Sequence, residues 1–201
     1  MTDPSAFLSH GFAAAQRALE GVADAMQAHL NPVTLARTLA QRAVAELTRL
    51  EIIVRRLLTL MALAIELAPV SPRAASPEAR RDQAEPVCRK AAPGLRLSAK
   101  ALPAFDPDAS VLFPCTVRAS GPVPAAPLLA RLAALQLVLA APDAHARRLA
   151  RTLERQRKAG EARPFVLAMP RTHRLPPELG AIATALPEIL KAALKSWDNS
   201  S

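Results

Sequence analysis

Proline is distributed unevenly along the chain, and this distribution limits where regular helices can form. Eleven of the 19 prolines fall between positions 69 and 127, whereas the first 68 residues contain only Pro4 and Pro32. A proline has no amide hydrogen to donate, and it disfavours helical geometry in the residue before it. We therefore expect helices on both sides of a proline-rich, largely irregular linker that spans residues 69–126.

The first 68 residues have the hydrophobic spacing of two helices. In each half, apolar residues recur at alternating steps of four and three, which is the seam of a coiled coil. We expect one helix from about Pro4 to His29 and a second from Pro32 to Leu67, with Asn31 as the N-cap of the second. A connection as short as residues 29–31 makes the two helices antiparallel, so this part of the chain is predicted to be a helical hairpin.

The two predicted helices differ in length, and this difference has a consequence for burial. At 1.5 Å per residue the first helix would be about 38 Å long and the second about 54 Å. The first would then cover the second only to about Leu57, and the stretch from Leu57 to Leu67 (LLTLMALAIEL) is apolar on nearly every side. Such a helix must be covered. The candidates are the C-terminal segment, a second copy of this chain, another protein, or a membrane surface.

The C-terminal part, residues 127–201, shows the spacing of about three helices. The first runs over 127–140 and the second over 142–159, with Pro142 in its first turn and Gly160 just beyond its end. A third opens near Pro177, and Pro187 is expected to kink or split it. The predicted fold class is therefore mainly α, with an N-terminal hairpin in residues 1–68, the linker, and a C-terminal bundle.

Positive charge is concentrated in the C-terminal part. Lys and Arg outnumber Asp and Glu by 26 to 17 overall and by 13 to 6 from Arg118 onward, but the first 70 residues balance at 6 against 6. On the helix over 142–159, Arg147, Arg151 and Arg155 recur at every fourth position, with Arg148 beside them. This pattern indicates either a surface that contacts the phosphates of RNA or DNA or an anionic protein, or a solvated face that complements the helix dipole.

Motifs for catalysis and for cofactor or metal binding are missing from the sequence. The four histidines lack the spacing of metal ligands, and no glycine-rich phosphate loop or GxSxG motif occurs. We therefore predict a protein without enzymatic activity, cofactor or metal. No secretory signal is evident, and the apolar run of about a dozen residues is shorter than the roughly 20 needed to span a bilayer. A cytoplasmic location is expected.

These patterns lead to three hypotheses of function. The first is a helical adaptor or regulator that contacts a protein partner, or a second copy of itself, along helix 32–67. The second is a basic nucleic-acid-binding regulator that uses the helix over 142–159, and the third is a peripheral membrane protein. The residues proposed for the partner contact are Leu50, Val54, Leu57, Met61 and Ala64, and those proposed for the nucleic-acid contact are Arg147, Arg148, Arg151 and Arg155.

Overall fold

The computed structural model describes residues 4–67, 121–164, 166, 172–195 and 197. Within these residues, five α-helices and one two-stranded sheet are present, which confirms the prediction of a mainly helical fold. Most of the predicted linker lies outside the described residues, but its last part, 121–126, contains a strand and the start of a helix. The helices are α1 (Pro4–Ala25), α2 (Arg37–Ala64), α3 (Ala126–Ala140), α4 (Pro142–Lys158) and α5 (Pro177–Ala193), and the strands are β1 (Thr34–Leu35) and β2 (Val123–Pro124).

Helix α2 is the centre of the fold, because it packs against each of the other four helices. Buried side chains from all five helices belong to one hydrophobic core. The N-terminal and C-terminal helical parts therefore share a core. Pro187 is buried inside α5, which continues through it as one helix.

Helices α1 and α2 approach each other closely at Gly11. A Cβ atom on Gly11 would lie only 2.7 Å from Cδ2 of Leu57, so the absence of a side chain allows this contact. Further along, Val22 and Leu50 line one cleft. Residue numbers thus fall along α1 as they rise along α2, and the two helices run antiparallel. The seam predicted for α1 is buried at Ala15, Leu19, Val22 and Met26 and partly buried at Leu8 and Phe12.

The predicted start of α2 is wrong. Asn31 does not cap this helix. Its φ of 48° lies in the left-handed region, and its amide donates to the carbonyl of Ala28, so it closes a short 3₁₀ turn. Val33, which lies inside the predicted range of the second helix, is 85% exposed. The physical reason is strand pairing: Thr34 pairs with Pro124, and the amide of Ala125 donates to the carbonyl of Val33. Helix α2 begins only after Ala36.

Because α2 starts later than predicted, α1 covers most of the part of α2 that was expected to extend beyond it. Because Gly11 lies at the level of Leu57, the residues from Pro4 to His10 extend about 10 Å beyond that level, toward the end of α2. Helices α4 and α5 cover other sides of the same stretch, with Leu153 and Leu194 beside Ala62. The sequence leaves four candidates for burying this stretch, and one of them, the C-terminal segment of this chain, packs against it. Leu57 and Leu58 are fully buried here, and Leu60 and Ala62 are 6% and 3% exposed.

One ion pair ties α3 to α2 at a half-buried position. Arg131 donates from Nε and Nη2 to the two carboxylate oxygens of Glu51, each at 2.9 Å. The side chains of Arg131 and Glu51 are only 29% and 21% exposed, so solvent screens this pair less than a surface pair. A second pair, Arg17 with Glu178, joins α1 to the start of α5 but is more than half exposed on both sides. The half-buried pair therefore helps to hold α3 on α2, whereas the exposed pair contributes little to stability.

Candidate functional site

Helix α4 is the most strongly amphipathic part of the described chain. Pro142 occupies its first turn and Asp143 follows, where a carboxylate complements the positive end of the helix dipole. The chain turns by 88° between α3 and α4, so α4 runs across the direction of its predecessor. The side of α4 that faces the core consists of Ala146, Leu149, Ala150 and Leu153.

The four arginines proposed from the sequence all lie on the exposed side of α4. At 100° per residue, Arg148, Arg151 and Arg155 fall within about 60° of one another, directly opposite the buried stripe. Arg147 lies to one side of this group. We call Arg147, Arg148, Arg151 and Arg155 the arginine face. It is an open, positively charged strip along the outside of the helix.

Nearby acidic groups do not neutralise the arginine face. Glu154 pairs instead with Lys158, whose Nζ lies 3.1 Å from Oε1 of the Glu154 carboxylate. Arg155 donates to the carbonyl of Arg151 and to the hydroxyl of Thr152, both within α4. Among residues 4–67, 121–164 and 172–195, no carboxylate forms an ion pair with the four arginines. Their charge is therefore available to a ligand.

The end of α4 is fixed by a turn and by the only tryptophan of the chain. Gly160 has a φ of 69°, a left-handed conformation that glycine adopts without steric cost. Its amide donates to the carbonyl of Arg157, and the amide of Glu161 donates to that of Gln156, which is the Schellman arrangement. The indole N–H of Trp197 donates to the carbonyl of Glu161 at 3.3 Å. The sequence indicated the role of Gly160 but not this contact.

Two neighbouring basic residues do not extend the arginine face. Arg157 is half-buried on the side of Leu153 and lines a cavity of about 190 Å³ where the ends of α2, α4 and α5 meet. On a helical wheel, Arg157 falls on the side of the buried residues and away from the exposed arginines. Arg174 and Arg17 both line a cleft between α1, α2 and the start of α5. On α2, burial alone lowers the pKa of Arg56 below its ordinary value.

The residues proposed for a partner contact along α2 are mostly inside the protein. Leu50, Val54 and Leu57 are 2%, 0% and 0% exposed, so these three side chains pack inside this chain. They are buried because α1 and the C-terminal helices pack around α2. Met61 is half-buried and Ala64 is exposed. Binding of a protein partner along α2 stays a prediction. Leu50, Val54 and Leu57 offer no open surface for it.

The described residues also bear on metal binding and on membrane insertion. Across the ranges that the structure describes, no cluster of three or more His, Cys, Asp or Glu side chains could hold a metal ion. In those ranges, no single helix is long and apolar enough to cross a membrane, and α3 with α4 passes that test only as a sharply bent pair. No family model, curated protein or solved structure matches the chain.

Proposed function

We propose that this chain binds nucleic acid through the arginine face of α4. The observation that supports this proposal is the exposure of all four guanidinium groups on one side of one helix, without carboxylate partners in the described ranges. A guanidinium group donates in a planar fork that matches the geometry of a phosphate. Each phosphate contact also releases condensed counterions, so several adjacent arginines give strong binding at low salt.

The structure favours this function over the adaptor role along helix 32–67. That role requires apolar side chains to meet a partner, but Leu50, Val54 and Leu57 already pack in the core of this chain. A partner could reach them only if the helices around α2 separated, which would expose the centre of the core to water. The arginine face requires no such opening. We therefore retain the adaptor role only as the second proposal.

The test replaces the four arginines by glutamine in the full chain and measures binding to a labelled DNA duplex by fluorescence anisotropy. Contact of all four arginines with phosphates would give a slope of about −3.6 for the logarithm of affinity against the logarithm of salt concentration, which is the steepest slope that this face predicts. Wild-type affinity should then fall by up to about 150-fold for a fourfold increase in salt. The variant should bind weakly at low salt, with a slope close to zero.

A matched control removes the same amount of charge elsewhere. Arg37, Arg42, Arg174 and Lys195 are all exposed and lie outside α4. Their combined replacement by glutamine should reduce affinity far less than replacement of the arginine face. Circular dichroism of both variants should match the wild type, and neither variant should unfold at a lower temperature, because the changed side chains are on the surface. Equal losses in the two variants, or wild-type binding by the α4 variant, would reject the proposal.

A further inference from the structure

Helix α4 is held to the rest of the protein by one narrow stripe. Ala146 and Ala150 are 0% and 4% exposed, and their small side chains allow the α4 backbone to lie close to α2. The contacts of α4 with other elements are mainly to α2, with fewer to α3. The 88° turn between the two helices takes α3 away from the line of α4. Among the residues that the structure describes, the outer side of α4 is therefore uncovered along its length.

The size of α4 matches one groove of B-form DNA. Its 17 residues make a rod about 26 Å long. A helix with its side chains is about 10–12 Å across, and the major groove of B-form DNA is about 12 Å wide and 8.5 Å deep. The major groove of an A-form RNA duplex is deep and narrow, so side chains on a helix cannot read its base edges. Shape thus distinguishes the two kinds of duplex.

The residue types on the outer side of α4 also distinguish duplex from single strand. Binding to single strands depends on aromatic side chains on which bases stack. The exposed residues of α4 contain no aromatic ring. Arginine is instead the commonest reader of guanine, because its fork can donate to both O6 and N7 in the major groove. Because Arg148, Arg151 and Arg155 cluster opposite the buried stripe, they would point toward the groove floor if α4 entered it.

We infer that α4 inserts into the major groove of B-form DNA and that its central arginines donate to guanine. This inference rests on the proposed function, because it specifies how the same arginine face meets nucleic acid. The fully exposed residues of α4 include no Asn or Gln, the residues that read adenine, and Gln156 is half-buried at the edge of the outer side. We therefore expect α4 to prefer guanine at the few base pairs that it contacts, without recognising a long, defined sequence.

The experiment compares four ligands of one guanine-rich sequence with the full wild-type chain at a single salt concentration. These are the DNA duplex, the corresponding RNA duplex, the single DNA strand, and a DNA duplex in which 7-deazaguanine replaces guanine. The last ligand lacks the N7 acceptor in the major groove but keeps every phosphate. We expect the DNA duplex to bind about tenfold more tightly than the RNA duplex or the single strand. Loss of N7 should weaken binding about fivefold.

A duplex with inosine in place of guanine is the matched control, because it lacks only the amino group that guanine presents in the minor groove. Affinity for this duplex should stay at the level of the unmodified one. If inosine weakens binding while 7-deazaguanine does not, or if neither does, groove insertion is overturned and phosphate binding stands. Binding of the RNA duplex or the single strand as tight as that of the DNA duplex has the same meaning. Absence of binding to all the ligands would overturn the proposed function as well.

Discussion

The second half of α2 and the whole of α4 differ in how apolar and charged side chains are distributed around the helix axis. In α2, buried residues between Ile53 and Ala62 lie on several sides, because α1, α4 and α5 all pack there. In α4, the buried residues form one stripe and the arginine face lies opposite. Burial on many sides makes α2 a core element, whereas one-sided burial leaves α4 a surface that can meet a ligand.

The difference shows that apolar character and availability for binding are separate properties. A helix that is apolar all round is suited to an interface, but it is equally suited to the centre of its own chain. In this protein the C-terminal helices occupy that position first. A cluster of like charges cannot be placed in the core of its own chain in this way, because each buried cation would need a partner. The charged helix is therefore the better guide to a ligand.

The largest expected effect comes from the core of α2. Leu57 is fully buried, so Leu57→Ala removes buried methyl groups and leaves a cavity, which should cost about 2–5 kcal/mol of unfolding free energy. Leu137 on α3 is 70% exposed, and Leu137→Ala should change stability by less than about 0.5 kcal/mol. Chemical denaturation measures both. Similar costs for the two substitutions would contradict the central position of α2.

A smaller effect should separate the two glycines in α1. Gly21 has open space around it, so Gly21→Ala should stabilise the protein by about 1 kcal/mol through helix propensity alone. Gly11→Ala gains the same propensity but forces Leu57 to move, at a cost of about 1–3 kcal/mol. It should be neutral or destabilising in thermal unfolding.

The double variant supplies the control for this pair. In a Leu57→Ala background the contacting methyl groups are gone, so Gly11→Ala should become stabilising there. If Gly11→Ala and Gly21→Ala behave alike in the wild type, α1 does not approach α2 at Gly11 as the structure shows. The size of the coupling measures how tightly the two helices are packed at this point.

The smallest effect belongs to α4. Arg151 lies four residues from both Arg147 and Arg155, and like charges at this spacing repel by a few tenths of a kcal/mol per pair. Arg151→Gln should therefore raise the unfolding free energy by about 0.5 kcal/mol at low salt, although it weakens DNA binding. At 1 M salt the Debye length is only about 3 Å, and the gain should vanish. A destabilising effect at low salt would show that Arg151 has a structural partner.

The sequence predicted the helices with clear local markers. Pro142 and Gly160 defined α4 to within one residue of its observed ends, because each has a backbone preference that acts locally. The exposure of the arginine face followed from helical periodicity in the same way. These features depend on residues close together in the chain.

Features that depend on distant residues were not predictable. Val33 fits the hydrophobic seam of α2, but pairing of β1 with β2 draws its segment away from the helix. Nothing near Val33 in sequence indicates that Val123 and Pro124 will lie beside it. The elements that bury Leu57 were unpredictable for the same reason, since hydrophobic spacing shows that a residue needs burial but does not identify the element that packs on it. The close contact at Gly11 likewise appears only once both helices are placed.

Trp197 gives the chain a built-in optical reporter. It is the single tryptophan, and its indole is bonded to the backbone just past the last turn of α4. Light emitted by indole therefore originates from one location, the junction between the proposed binding helix and the segment after α5. Fluorescence titrations can follow this junction without an attached dye. A change in the Trp197 spectrum on adding DNA would show that DNA binding alters the environment at the C-terminal end of α4.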